Sequence, residues 1–460
     1  MKTLNMTEGK PLKLLFSFAL PLMFGNIFQQ LYTVVDTAIV GQGVGMDALA
    51  ALGSVDWLNW MLLGILQGYT QGFSVRMSQK YGQKDIDGLK QVIGCSAALC
   101  MLIAMICTVL SQLGLPIFLK MLRVPDGLRG MAELYSRIIM GGLPAVMFYN
   151  FCSSVLRSVG DSKTPLMAMI AASITNIILD CVAVFALGWG IAGAAIATVA
   201  AQCLSGTICA VKIYRSPQLH FTRKHMILSR PLSPNLIKIG TPVAAKNVII
   251  ALGGMVIQSI VNGFSLSFIA GFTATNKLYG LLEIAAISYG YAVTTYVGQN
   301  YGAGQTKRIK KGMSSAVIMS LITSLVIAAI MIVFGRPITM LFISGEDPAL
   351  MTDAGNVAYY YLCCMAVSLP VLYLLYVYSS ALQGIGNTVA TMFSGILEFV
   401  MRVSLAAVVG FTGFEMGIFG AEVSAWYSAA IFLGISYYQN VKKIFTNKKG
   451  SIINVGVRLN

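Results

Sequence analysis

Charge is scarce in this chain. Only 11% of its 460 residues are Asp, Glu, Lys or Arg, against about 25% in an ordinary soluble domain. A body built mainly of soluble domains is thereby excluded. Histidine is nearly absent: the two, His220 and His225, lie together in a central polar segment. No apolar stretch contains one, so no histidine triad or histidine relay is available there. No GxxxxGK[ST] loop occurs, which excludes ATP hydrolysis of the P-loop kind. The nine cysteines (Cys95, Cys100, Cys107, Cys152, Cys181, Cys203, Cys209, Cys363, Cys364) all fall in apolar stretches. They form neither a disulfide framework nor a metal-ligand spacing and read as small packing residues. No polar segment is large enough to be an enzyme, and no cofactor is expected. The first apolar run leads into eleven more, so it does not read as a cleavable signal.

What is abundant is apolar length. The chain is 57% hydrophobic with a mean hydropathy of +0.75. Runs recur near the ~20 residues that carry a helix across about 30 Å of hydrocarbon. Twelve spans are expected: 14–35, 50–73, 92–116, 134–156, 166–187, 191–213, 240–262, 268–297, 313–334, 355–380, 388–411 and 416–438. The runs are long and lack the alternation of membrane strands, so the fold class is an all-α membrane protein.

The sequence states its plan twice. Pro21, Asn26 and Val40 are answered by Pro242, Asn247 and Val261 at an offset of 221. Gln79, Tyr81 and Gly82 are answered by Gln299, Tyr301 and Gly302 at 220. Pro144 and Gly160 match Pro370 and Gly386 at 226, and the Gly190–Ala194 stretch matches Gly417–Ala421 at 227. Six spans per half is even, so the repeats run parallel about an axis along the membrane normal. Such duplication points to a pathway between halves that opens to each side in turn. The expected division is 1–213 for a first six-helix lobe, 214–238 for a linker, 239–440 for a second lobe and 441–460 for a tail.

The net charge of +15 does not mark a nucleic-acid binder, because its placement follows topology. With the amino terminus inside, 24 of the 32 Lys and Arg residues fall in inside segments. Five fall outside (Lys120, Arg123, Arg129, Arg137, Arg336), and three (Lys246, Lys277, Arg402) lie in or at spans. This positive-inside bias places both termini in the cytoplasm. The basic segments Arg76–Lys90, Lys212–Lys238 and Lys307–Lys311 fix topology, with contact to anionic headgroups as a second reading. A compact chain without organelle signals points to a bacterial plasma membrane and, with its internal repeat, to a monomer in the bilayer.

Ionisable groups inside hydrocarbon need a partner, a wet cavity or a function. Asp36 lies about 33 Å along span 1, and Asp180 about 21 Å along span 5. Both reach the outer part of the first lobe. Asn176 and Asp180 are four apart and share a helix face. Two carboxylates and a carboxamide suit a proton or a hard cation such as Na⁺. Alternatively, Asp36 caps the segment after its span and Asp180 bonds within a packed bundle. Glu398 and Arg402, four apart, are expected to pair. Glu283 in span 8 is a candidate partner for Lys246 in span 7, either as a structural pair or as a second polar site. Glu415 and Glu422 sit near the start of span 12, where a helix amino terminus accommodates acid. Pro21 and Pro242 interrupt spans 1 and 7 at matching places and kink them, as static bends or as hinges. The GxxxG pairs Gly41/Gly45, Gly68/Gly72, Gly298/Gly302 and Gly413/Gly417 read as close helix packing. Abundant Met, Phe and Tyr leave room for an adaptable pocket for apolar or cationic small molecules.

Several stretches resemble one family across the whole chain. They are Pro21…Asn26…Tyr32…Val35-Asp36…Val40-Gly41, Ala48–Gly53, Gln79–Gly82 with its echo Gln299–Gly304, Arg157–Pro165, Asn176…Asp180 and Trp189–Ala195…Thr198. Together they resemble the multidrug and toxic compound extrusion (MATE) transporters. The resemblance implies two six-helix lobes around a V-shaped cleft. It implies an antiporter that exports amphipathic, often cationic compounds in exchange for H⁺ or Na⁺. It further implies a first-lobe cation site of Asp36, Asp180, Asn176 and Thr198, and a bend at Pro21. Members with a second-lobe Na⁺ site use acids in spans 7 and 10. Here span 7 has Lys246 and no acid, and span 10 has none, so coupling is expected in the first lobe. The alternative within transporters is a flippase for a lipid-linked precursor, for which the spans offer few basic groups. A channel lacks its continuous polar pore here, and an intramembrane enzyme lacks a catalytic constellation.

Overall fold

Long apolar runs without strand alternation can satisfy their backbone groups in lipid only as helices, and helices are what form. The computed structural model describes residues 4–122, 124–343 and 347–456. In chain order the helices are α1 (Pro11–Gly43), α2 (Met46–Gly82), α3 (Ile86–Met121), α4 (Asp126–Gly141), α5 (Leu143–Ser158), α6 (Lys163–Cys181), α7 (Gly190–Tyr214), α8 (Leu232–Val261), α9 (Leu266–Gly302), α10 (Thr306–Met340), α11 (Pro348–Ile385), α12 (Thr388–Thr412) and α13 (Phe419–Gly456). Among the described residues, ten are long and apolar enough to cross a membrane, and the pair α4 and α5, bent by 42°, makes an eleventh. Helix α9 fills the remaining expected span. It is 37 residues long but more polar, carrying Lys277, Glu283 and a series of tyrosines. Large side chains point outward along these helices, among them Leu113 at 72% and Val333 at 68% exposure. Such surfaces suit hydrocarbon and not water. Arg123 and the tail from 457 onward lie outside the described residues.

Helix ends follow local chemistry. Asp85 accepts from Gly88 N at 2.9 Å and caps α3. The Lys80 ammonium, 2.6 Å away, is the main reason that the exposed Asp85 carboxyl is held below the usual carboxylate range, the Gly88 N–H adding to it. Asp161 accepts from Lys163 N, Thr164 N and Thr164 Oγ1 and caps α6. Pro21 and Pro242 sit inside α1 and α8, which continue through them.

The chain divides into two compact units. The first takes residues up to Asn5 and Ser17–Ala251; the second takes Met6–Phe16 and everything from Leu252. Each half thus gives the start of its first helix to the other unit. The segment at 214–238 belongs to the first unit, and α8 stays with that unit up to Ala251.

In the first unit, α2, α3, α5 and α7 close around Leu66, Phe73, Leu89, Ile93 and Val155, all fully buried. Helix α2 lies tightly on α8: a Cβ at Gly68 would stand 2.4 Å from Ala244 Cα, and one at Gly72 2.5 Å from Gly240 Cα. That is the close packing which small residues permit. In the second unit, buried Tyr289, Tyr296, Tyr373 and Trp426 fill the space between α9, α10, α11 and α13. A stack of rings runs Phe268, Phe419, Tyr361, Phe272 at centroid spacings of 5.5, 4.7 and 4.9 Å. The amino-terminal strap is fixed to this unit through main-chain atoms. Gln299 Oε1 accepts from Met6 N, Asn300 Nδ2 donates to Met6 O, and Arg308 donates to Met6 O and Gly9 O.

Candidate functional site

Two helix faces of the first unit bring the site together. On α1, Tyr32 and Asp36 are one turn apart and share a face. On α6, Asn176 and Asp180 repeat that spacing. The carboxyl groups of Asp36 and Asp180 come within hydrogen-bonding reach of each other. Asp180 Oδ1 and Oδ2, Asp36 Oδ1 and both Asn176 Oδ1 and Nδ2 are buried and make no hydrogen bond with the described protein atoms. Two facing carboxylates have no donor between them, so the pair needs a proton or a cation to hold together. Among the described residues, no backbone donor caps Asp36 Oδ1, and the one side chain within hydrogen-bonding reach of Asp180 is Asp36.

Beside the carboxyl pair is a cavity of about 10 Å³ lined by Tyr32, Asn176, Thr198, Gln202 and Ser205. That volume is close to one water or one small ion and far below the ~300 Å³ where organic ligands begin to fit. Tyr135 of α4 joins Tyr32 close enough to sense the charge of both aspartates. Asp36, Asp180, Asn176 and Thr198, each marked in the sequence, lie at this one place. Tyr135, Gln202 and Ser205 carry no such mark, and Tyr32 stands out in the sequence only within its motif.

The backbone here departs from regular helix. After Asp180, α6 runs into a π-helical stretch, Val182–Ala186, a feature frequent at functional sites. Two glycines let neighbours close on it. A Cβ at Gly43, the end of α1, would be 2.4 Å from Val184 Cγ1, and one at Gly193 of α7 would be 2.8 Å from Ala183 Cβ. The three helices that carry the site therefore meet at the π turn.

The second unit holds a different cluster. Glu283 on α9 accepts from the hydroxyls of Tyr279 and Tyr376, so two tyrosines attend the carboxylate that was expected to face Lys246. Lys246 is buried on the part of α8 that belongs to the first unit. Arg402 stands 3.8 Å from Glu398, the expected helix neighbour. Its stronger partner is Glu422, which takes Nε at 2.8 Å and Nη2 at 2.6 Å in a bidentate pair. Glu422 is thus a tertiary partner as well as a helix-start acid.

Comparison with known proteins adds the family. The MatE family model matches residues 21–182 and 242–408. The chain belongs to the MatE family. As a MatE protein it is a multi-pass membrane protein of a transporter family. It is similar to the probable multidrug resistance protein YpnP of Bacillus subtilis (strain 168), at 28% identity over 97% of this chain and 100% of that one. The probable multidrug resistance protein YoeA of the same organism is 26% identical over 72% of this chain and 73% of its own. A MATE crystal structure in complex with MaL6 superposes with a TM-score of 0.89 at 21% identity, covering 97% of this chain and 100% of that one. The all-α fold is therefore the MATE transporter fold.

Proposed function

We propose that this MatE protein is a secondary active antiporter that exports amphipathic, cationic organic compounds in exchange for H⁺ or Na⁺. The observation that carries this reading is the Asp36–Asp180 pair, two facing carboxyl groups without a protein donor beside a space sized for one small ion. Protonation gives the pair one shared hydrogen bond. A Na⁺ would instead be held by carboxylate oxygens, with Asn176 Oδ1 and the Thr198 hydroxyl as further hard donors. An organic cation cannot enter so small a space, so the exported compound binds elsewhere and is coupled through conformation. The relatives' names as multidrug resistance proteins support the class of cargo. Arg402, one of the few basic groups a lipid-headgroup flippase would offer, is engaged by Glu422 and Glu398, which favours the antiporter. The positive-inside bias puts both termini in the cytoplasm of a plasma membrane, and the duplicated chain works as a monomer.

The test is efflux of a fluorescent cationic dye from proteoliposomes, driven separately by a proton and by a Na⁺ gradient. Asp36→Asn and Asp180→Asn should each bring gradient-driven efflux to background while the protein stays folded. The gradient that drives the wild type names the ion. Unchanged efflux in both variants would remove the site from the mechanism.

A further inference from the structure

A second cavity of the first unit shares no lining residue with the small one beside the aspartates. It holds about 470 Å³ between α3, α5 and α7, with Met101, Ala104, Met147 and Phe148 among its walls. Its side faces lipid, for Met101 at its edge is 62% exposed. One end is closed by the linker, which contributes His220, Phe221 and Met226. The linker is seated there firmly. Its 3-10 turn, Arg223–His225, approaches α3 so closely that a Cβ at Gly94 would stand 2.4 Å from His225 O. Thr222 N donates to His225 Nδ1 at 3.1 Å and closes the turn.

That turn turns its charge outward. Arg223 and Lys224 are exposed, and next to them Ile227 and Leu228 are 65% and 50% exposed. Basic and large apolar side chains on one short surface belong at the headgroup level of a membrane. Along α3 the groove runs from Ala97, near the linker, to Met105. That is about 12 Å of helix, against roughly 15 Å for one leaflet, half the hydrocarbon thickness.

We propose that this groove is a binding site for an anionic phospholipid of the leaflet on the linker side. One acyl chain lies in the groove between α3, α5 and α7, and the phosphate meets Arg223 and Lys224. The apolar wall supplies length and the two cations supply headgroup selectivity. The site requires a membrane protein but not the antiport reading, and Asp36→Asn should leave it untouched.

The experiment is native mass spectrometry of the full chain in detergent, titrated with phosphatidylglycerol and with phosphatidylcholine of the same acyl chains. Wild type should retain phosphatidylglycerol preferentially. The double variant Arg223→Gln, Lys224→Gln, on exposed positions, should lose about five-fold in phosphatidylglycerol affinity per charge removed and keep its phosphatidylcholine binding. Ala97→Phe, which fills the groove, should weaken both lipids. Equal retention of the two lipids by wild type would overturn the proposal. So would unchanged phosphatidylglycerol binding in both variants. If Ala97→Phe instead lowered only dye binding, the groove would belong to the exported compound and the lipid site would be rejected.

Discussion

Helix α2 covers 37 residues and ends at Gly82; α9 covers 37 residues and ends at Gly302, 220 positions later. Asp161 and Asn387, 226 apart, cap α6 and α12 by accepting from the residue three on, Thr164 N and Ala390 N. Gly160 and Gly386, just before them, both take a left-handed backbone, with φ of +89° and +100°. The scaffold is thus duplicated down to its caps. The sites are not. Position 402 corresponds to 176 at the same offset, so Arg402 stands where the first half has Asn176. Position 253 corresponds to 32, so Gly253 replaces Tyr32, and a Cβ there would lie 3.4 Å from Arg402 Cδ. The glycine leaves room for the arginine. One half keeps carboxyl groups without donors; in the other, Ile257 and Ala406 stand at those carboxyl positions and Arg402, at the place of Asn176, pairs with Glu422. Duplication here preserved the frame and let the polar interior diverge.

That contrast can be broken most forcefully at Arg402. Arg402→Ala leaves Glu398 and Glu422 buried without their cation and should cost about 3–5 kcal/mol, read as a large fall in the melting midpoint in detergent. Asn176→Ala, at the matching place, should change stability by about 1 kcal/mol or less. Similar losses in the two would end the distinction between the ion-pair half and the half whose carboxyl groups lack donors. A middle-sized effect is expected where the halves pack differently. Gly68 corresponds to Ser288 at offset 220. Gly68→Ser puts a side chain against α8 backbone and should cost about 1–3 kcal/mol, whereas Ser288→Gly should cost no more than about 1 kcal/mol. Thermal unfolding of the two variants side by side decides it. The smallest effects should come from the shared caps. Asn387→Ala should cost about 1 kcal/mol, and Asp161→Ala somewhat more, because it also loses the Thr164 hydroxyl. A neutral Asp161→Ala would show that this end is fixed by packing and not by its cap.

Most of the long spans were legible because they are apolar runs of the needed length, ten helices and the bent α4–α5 pair among the described residues, and the duplication because Pro, Gly and Gln recur at near-constant offsets. The broken fourth span was not. Pro144 matches Pro370, yet α11 runs through Pro370, while the first half breaks into α4 and α5. The difference lies two residues earlier, where Gly141-Gly142 stand in place of Val367-Ser368. A glycine pair allows the sharp bend, and a proline-centred comparison passes over it. The site was half legible for a similar reason. Carboxylates are rare inside spans, so Asp36 and Asp180 stood out, and Asn176 followed by helix spacing. Tyr135 is one of 20 tyrosines and carries no mark of position. Glu283 and Lys246 sit on consecutive spans, which suggested a pair; the hydrogen bonds that Tyr279 and Tyr376 give to Glu283 depend on helix rotation that no spacing rule supplies.

The strap from Met6 to Gly9 is held by Gln299, Asn300 and Arg308, which bond its main-chain N–H and carbonyl groups. Main-chain anchors do not read identity. In an evolving lineage the exposed side chain at Glu8 can then drift, while a single inserted or deleted residue would shift every anchor at once. The selective memory of this segment is its length, and substitutions at Glu8 would report it as unimportant while a library of indels would not.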